Sequence, residues 1–194
     1  MAWKSVKAII LFASIVGTSF AQTLRIRDVM VSEPGLPRTV NFSCTADYNA
    51  VQCVHDVKTL QHELARYPLD GLGRWSFVLA PSDHWAELVA KLKGNPVSPA
   101  FSVLDQGTTV FEQALFSAAP ARSWELMQMF GALGAPLLRL AITHELGHAM
   151  CAEMDERRAD EFGRELRSRE AASCATDAHQ RSSSSPQARS RSMP

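Results

Sequence analysis

The chain has 194 residues, of which 46% are hydrophobic, and this length and composition are typical of one globular domain with a sizeable core. Its 20 basic residues balance its 20 acidic residues, but the charge is unevenly placed. The body from Gln22 to Leu166 has an acidic excess, which excludes nucleic acid as an expected partner.

Residues 1–21 have the layout of a secretory signal peptide. Two lysines precede an apolar run that ends near Val16, and Ser19 and Ala21 occupy the −3 and −1 positions of a cleavage site. The apolar run is shorter than the roughly 18–20 residues that span a bilayer. The later apolar stretch at 131–142 is interrupted by a proline and an arginine. We therefore predict a secreted or periplasmic protein with no membrane span after cleavage.

The region that follows alternates extended and helical patterns. Helices are indicated where apolar residues recur every three or four positions, and strands where short β-rich runs lie between turn residues. The turn sequence Asp105-Gln106-Gly107 between two such runs predicts a β-hairpin. In chain order, the predicted elements are an extended segment at 22–43, a helix at 50–67, a strand at 75–80, a helix at 84–94 and a hairpin at 100–116.

Three helical segments are expected in the remainder of the body. The first covers 122–134, with Ser123 as its N-cap. Pro136 then lies where a helix tolerates proline, in the first turn of the second. A break at Cys151–Asp155 separates this helix from the third, which covers Glu156 to about Arg167.

The predicted domain organisation is a signal peptide at 1–21, one compact domain at 22–166 and a tail at 167–194. The tail is rich in Ser and Arg and has too few apolar residues to bury a core, so we expect it to be disordered and basic. An even number of cysteines in an exported chain indicates disulfides. The expected pairs are Cys44–Cys53 and Cys151–Cys174, with a buried free thiol as the alternative.

The sequence HELGH places His144 and His148 four residues apart on the second of these helices. Residues at this spacing share one helix face, so the two imidazoles project side by side. Neutral imidazole is a zinc ligand, and a catalytic zinc site has three protein ligands and one open position. Glu145 lies beside the first histidine, where its carboxylate can act as a general base toward water without binding the metal.

The third ligand is expected on the next helix. Glu156 and Asp160 are four residues apart there, and the short break allows this helix to fold back on the first. Glu156 is the expected ligand, and Asp160 is expected to accept a hydrogen bond from a ligand histidine. Glu153 and Asp160 remain open as alternative ligands. The HExxHxxGxxH arrangement is absent, because Met154 occupies the position of its third histidine.

HELGH followed by E-x-x-A-D resembles the zincin metallopeptidases, in particular the gluzincin branch, whose third ligand is a glutamate. The resemblance covers about Leu137 to Leu166. It implies that His144, His148 and Glu156 bind one zinc ion per chain. It also implies that Glu145 activates water for the hydrolysis of a peptide bond.

The resemblance further implies an α+β, zincin-like fold. In this fold a small mixed or antiparallel sheet packs on the active-site helix, and a second ligand-bearing helix follows. A peptide or protein substrate would add antiparallel to an edge strand, for which residues 100–116 are the candidate. The family usually has a downstream His, Tyr or Arg that stabilises the oxyanion. Here both tyrosines lie upstream of the motif, and His179 lies in the predicted tail.

The sequence therefore predicts an exported zinc endopeptidase that consists of a minimal catalytic core. The main alternative is a non-catalytic exported domain that keeps the fold and binds zinc or a peptide. A disulfide-linked binding module without metal is a further alternative. The presence of Glu145 favours the enzyme, because a purely structural metal site needs no general base.

Overall fold

The computed structural model of the protein describes residues 26–29, 33–92, 94–117, 120–169 and 172–174. The predicted signal peptide and most of the predicted tail lie outside these ranges. Within them, the chain has an α+β fold with a mixed five-stranded sheet and five α-helices. The elements are β1 (Ile26–Asp28), β2 (Val40–Thr45), α1 (Ala50–Leu64), β3 (Trp75–Ala80), α2 (Trp85–Lys91), β4 (Ala100–Val103), β5 (Thr108–Glu112), α3 (Pro120–Phe130), α4 (Ala135–Cys151) and α5 (Glu156–Ser168).

The strand order in the sheet is β1-β2-β3-β5-β4. The central strands β2, β3 and β5 are parallel, whereas the edge strands β1 and β4 run antiparallel to their neighbours. The sequence was compatible with either a mixed or an antiparallel sheet, and the structure has a mixed sheet. The predicted hairpin is confirmed as the β4–β5 pair, with Gly107 at its turn in the left-handed conformation at φ 56°.

The two faces of the sheet are covered by different helices. Alternate residues of a strand point to opposite faces. One face carries Phe42, Phe77 and Phe111 and packs on α1 and α4 in the main core. The other face carries Val78 and Val110 and packs on α2 in a smaller core. Helix α4, which contains the HELGH motif, is therefore seated on the main core.

Helices α4 and α5 form an antiparallel pair in backbone contact. A Cβ atom added to Gly147 would lie 2.7 Å from the carbonyl oxygen of Ala159. A Cβ atom added to Gly163 would lie 2.9 Å from the backbone of Thr143. Such distances are too short for any side chain, and neither backbone can yield without moving a whole helix. The two glycines therefore set how closely the second helix approaches the motif helix.

An ion pair joins α4 to α1. The carboxylate of Glu63 is nearly buried and accepts a hydrogen bond from Arg139 Nε at 2.9 Å and another from Arg66 Nη1 at 3.2 Å. Burial raises the pKa of Glu63, but the hydrogen bonds from the two guanidinium groups outweigh it, so its pKa is lowered. Glu63 is thus held in its charged form where α4 crosses α1.

Both predicted disulfides are present, and no cysteine is free. Cys44–Cys53 joins β2 to α1, and Cys151–Cys174 joins the end of α4 to the segment after α5. The second disulfide closes a loop that contains the whole of α5. Both ends of this helix are therefore tied to the end of α4, one by residues 152–155 and the other by the disulfide.

Several predicted boundaries differ from the structure. Helix α1 ends at Leu64 rather than at residue 67, and strand β2 continues to Thr45 beyond the predicted extended segment. The prediction of Ser123 as an N-cap was wrong, because α3 begins at Pro120 and Ser123 lies inside it. Proline fits the first turn of a helix, where its missing N–H is not needed.

No single helix among the described residues has both the length and the apolar composition to cross a membrane. The part of α3 from Arg122 meets these criteria only in combination with α4, and the two are bent by 66° relative to each other. The same criteria are met by buried core helices, and α4 has a largely buried apolar surface.

The contact between α4 and α5 can be tested with Gly147→Ala. The added methyl group would overlap the backbone of Ala159, so we expect the free energy of unfolding to fall by about 1–3 kcal/mol. Gly73→Ala is the control, because a Cβ atom there meets nothing within 4 Å. Urea unfolding with the disulfides intact measures both variants. An equal change in the free energy of unfolding for Gly147→Ala and Gly73→Ala would contradict the close contact between α4 and α5.

The Glu63 ion pair predicts a dependence of stability on pH. Because the pKa of Glu63 is lower in the folded chain, its contribution is present above the unfolded-state pKa and is lost as the pH falls through the folded-state pKa. We expect Glu63→Gln to lower the free energy of unfolding by about 1 kcal/mol at pH 7 and by progressively less as the pH falls. The expected value is modest because the Arg139 side chain is 41% exposed, and solvent therefore screens the ion pair. Urea unfolding between pH 3 and pH 7 measures this difference. Glu87→Gln, in an exposed ion pair with Lys91, is the control and should show the same stability as the parent at each pH.

Candidate metal centre

Helix α4 places the two motif histidines edge to face. Their ring centroids are 4.7 Å apart, and their Nε2 atoms are separated by 3.1 Å. The helix keeps them in place because it lies on the main core, where Ile142 and Leu146 are fully buried. The predicted pairing of His144 and His148 on one face is therefore present, with both Nε2 atoms directed at the same point.

Helix α5 adds a carboxylate oxygen to this pair. Glu156 Oε2 lies 3.1 Å from His144 Nε2 and 3.6 Å from His148 Nε2. One atom from each residue, two nitrogens and one oxygen, lies within 4.8 Å of the others, so the group could hold a metal ion. The side chain of His148 is 10% exposed and that of Glu156 is 78% exposed, so the group opens to solvent on the side of the carboxylate.

The other nitrogen of each histidine ring has its own partner. His144 Nδ1 lies 2.8 Å from Asp160 Oδ1, and His148 Nδ1 lies 2.6 Å from the backbone oxygen of Glu153. Both partners are acceptors, so we assign the ring proton of each neutral histidine to Nδ1. Each Nε2 atom then carries a free lone pair. Two such lone pairs and a carboxylate oxygen at these distances repel one another, and a cation between them removes that repulsion.

The two alternative ligands are engaged elsewhere. The carboxylate of Glu153 accepts hydrogen bonds from the backbone N–H of Asp155 and from Arg158 Nη1, both at 2.9 Å. These bonds lower the pKa of Glu153, and its carboxylate is not part of the donor group at the histidine Nε2 atoms. The carboxylate of Asp160 is on the Nδ1 side of His144. Glu156 is therefore the only one of the three acidic residues placed at the Nε2 pair.

A tight reversal between α4 and α5 brings Glu156 into place. Ala152 ends α4 in the left-handed conformation at φ 48°, which is unusual for a residue other than glycine. Asp155 then caps α5 by accepting a hydrogen bond from the backbone N–H of Arg158 at 3.1 Å. Glu156 is the first residue of α5. The sequence predicted a break here, but nothing in it marked Ala152 as the residue that makes the turn.

Glu145 lies outside the donor group and is hydrogen-bonded to the sheet. Its side chain is almost completely buried, and its Oε2 atom accepts a hydrogen bond from the Ser102 hydroxyl of β4 at 2.7 Å. Burial raises its pKa to about 7, although the Ser102 hydrogen bond and the nearby His148 act in the opposite direction. Sequence reasoning missed Ser102, because a single serine in a strand carries no local signal of this contact.

A cleft of about 1420 Å³ lies over the histidines and Glu145. Its walls are formed by β4, the end of α3, α4 and α5. Strand β4 pairs only with β5 among the described residues, so its other edge is available along the cleft. The predicted substrate strand within residues 100–116 therefore borders the same cleft as the candidate metal ligands.

Comparisons of this chain with protein-family models, curated proteins and solved structures give no match. The resemblance to the gluzincins therefore remains an expectation from the motif. The function can be inferred only from the residues and geometry of the chain itself.

The candidate metal centre predicts the effect of Glu156→Ala. Removing one of three converging donors should lower the affinity for Zn²⁺ by about 100-fold or more. Glu161→Ala is the matched control, because it removes the same charge from the same helix without removing a member of the donor group. Isothermal titration of metal-free protein with Zn²⁺ measures both. An unchanged affinity in Glu156→Ala would exclude Glu156 as a ligand.

Proposed function

We propose that the protein is an exported zinc endopeptidase of the zincin type, with one zinc ion held by His144, His148 and Glu156. The observation that carries this proposal is the convergence of two histidine Nε2 atoms and one carboxylate oxygen beside a buried glutamate. Hydrogen bonds to Asp160 and to the Glu153 carbonyl orient the two rings. Carboxylate and carbonyl partners of this kind hold zinc-binding histidines in position.

The donor set favours a catalytic rather than a structural zinc site. Structural zinc sites have four protein ligands, frequently including cysteines. All four cysteines of this chain are paired in disulfides, so none is available as a thiolate. Two histidines and one carboxylate leave a position for a substrate or for water, as in catalytic sites. The exposed side of the group, at Glu156, faces the cleft.

When bound, zinc supplies a Lewis acid that polarises the peptide carbonyl and lowers the pKa of water. Glu145 is the proposed general base: it accepts the proton of the attacking water and passes it to the leaving amine. A base of this kind is most effective with a pKa near the working pH, and burial raises the pKa of Glu145 to about 7.

The proposed substrate is a peptide or protein segment in extended conformation. The available edge of β4 offers backbone hydrogen bonds to such a segment, and the strand lies along the cleft. We propose an endopeptidase because the cleft that contains the metal ligands is large, about 1420 Å³, and is lined by residues of β4, α3, α4 and α5. The two disulfides are typical of an oxidising compartment and support a secreted or periplasmic location.

Glu145→Gln separates metal binding from catalysis. We expect the variant to retain about one zinc per chain, because Glu145 is outside the donor group, and to lose peptide cleavage by about 10²–10⁴-fold. Elemental mass spectrometry measures the zinc, and mass spectrometry of a digested peptide library measures cleavage. Glu87→Gln, which changes an exposed surface glutamate, should behave as the parent.

Other outcomes have distinct meanings. A parent that binds no zinc after refolding with the metal would overturn the proposal. A parent that binds zinc but cleaves no peptide, with Glu145→Gln indistinguishable from it, would indicate the non-catalytic binding domain.

A further inference from the structure

A hydrogen bond links the motif helix to the edge strand of the sheet. The Ser102 hydroxyl of β4 donates to Glu145 Oε2 of α4 at 2.7 Å. The acceptor is a nearly buried carboxylate, and a charge-assisted bond in such surroundings is stronger than a neutral surface one. Ser102 is not a member of the candidate metal-binding group. The contact therefore acts on Glu145 and not on the candidate metal ligands.

Ser102 is itself held by two further side chains of the sheet. Its Oγ atom lies 2.8 Å from Thr109 Oγ1, and these two residues are opposite each other in the β4–β5 ladder. Thr109 Oγ1 in turn accepts a hydrogen bond from Trp75 Nε1 of β3 at 2.9 Å. Trp75 and Thr109 are both buried. The hydrogen-bonded row thus crosses three adjacent strands and ends at Glu145.

The chemistry of these groups sets the direction of the row. The indole N–H of Trp75 can only donate, and an ionised carboxylate can only accept. Each hydroxyl has a single proton. Ser102 gives its proton to Glu145, so the bond between the two hydroxyls must use the proton of Thr109. When Glu145 is ionised, all donors therefore point from Trp75 toward Glu145, and these bonds orient the Ser102 hydroxyl toward the carboxylate.

The two oxygens of the Glu145 carboxylate are in different situations. Oε2 is bound by Ser102, whereas Oε1 makes no hydrogen bond with any described residue. Glu145 lines the cleft. One oxygen thus anchors the side chain to the sheet, and the other remains available in the cleft.

We propose that Ser102 is a positioning residue for Glu145: its hydroxyl, oriented by Thr109 and Trp75, fixes Oε2 so that Oε1 can accept the proton of the attacking water. This inference rests on the proposed peptidase function. It assigns the edge strand a second role, since the strand proposed to bind the substrate backbone also orients the base. Ser102 itself does not touch the reacting atoms.

The first test measures peptide cleavage by zinc-loaded Ser102→Ala and Ser102→Thr. Loss of the hydroxyl should lower kcat by about 10–100-fold with little change in KM, because a misplaced base affects the reaction and not the binding. Ser102→Thr restores a hydroxyl at the same position and should recover most of kcat. Ser76→Ala, on the opposite face of the sheet, should match the parent. Equal kcat in Ser102→Ala and the parent would overturn the inference.

The second test needs neither zinc nor activity. In metal-free protein, Ser102→Ala should lower the urea midpoint of unfolding, because it leaves the Glu145 carboxylate without its donor. In a Glu145→Leu background the same substitution should cause little shift. A role limited to the packing of β4 would instead produce equal shifts in both backgrounds and would contradict the proposed contact.

The two tests distinguish a failure of the proposed peptidase function from a failure of the proposed role of Ser102. A parent that binds zinc but cleaves no peptide overturns the proposed function, and the role of Ser102 in catalysis fails with it, whatever the unfolding data show. A parent that cleaves peptides while Ser102→Ala retains its kcat overturns only the role of Ser102.

Discussion

The close contact between α4 and α5 is the constraint on which the candidate site depends. Gly147 lies against the backbone of Ala159, and Gly163 lies against the backbone of Thr143. Since the helices are antiparallel, this contact brings Glu156 at the start of α5 beside both histidines and Asp160, one turn later, beside His144. A larger separation would move Glu156 out of reach of both Nε2 atoms. The small size of two residues thus determines whether three donors can share one cation.

The second requirement is that α4 is fixed to the rest of the domain. It lies on the main core, is joined to α1 through the Arg139–Glu63 ion pair and is bonded to β4 through Glu145 and Ser102. The two ends of α5 are tied to the end of α4 by a short connection and by the Cys151–Cys174 disulfide. Apolar packing, an ion pair, a hydrogen bond and a disulfide therefore all help to hold the two helices that carry the donor group. This arrangement holds the donor group in place while its Glu156 side remains exposed to solvent.

Glu145 and Glu156 have opposite surroundings although both belong to the same site. Glu145 is buried against the sheet, and burial raises its pKa to about 7. Glu156 is 78% exposed at the mouth of the cleft, beside two histidine nitrogens. These two environments match the proposed roles of Glu145 as proton acceptor and Glu156 as metal ligand. The helix pair and the sheet provide them within a few residues of HELGH.

Local features could be predicted from the sequence alone. The side-by-side histidines follow from a spacing of four residues in a helix with 3.6 residues per turn, and the helix starting at Glu156 and the β4–β5 hairpin follow from equally local patterns. The tertiary structure decided the order of the mixed sheet, the choice of Glu156 over Glu153 at the Nε2 pair, and the contact of Ser102 with Glu145. These features join residues that are distant in sequence or separated by the turn at Ala152. The left-handed conformation of Ala152 could not be predicted from its residue type, because alanine rarely adopts it. Helical periodicity acts within one element, whereas the convergence of donors depends on how whole elements pack.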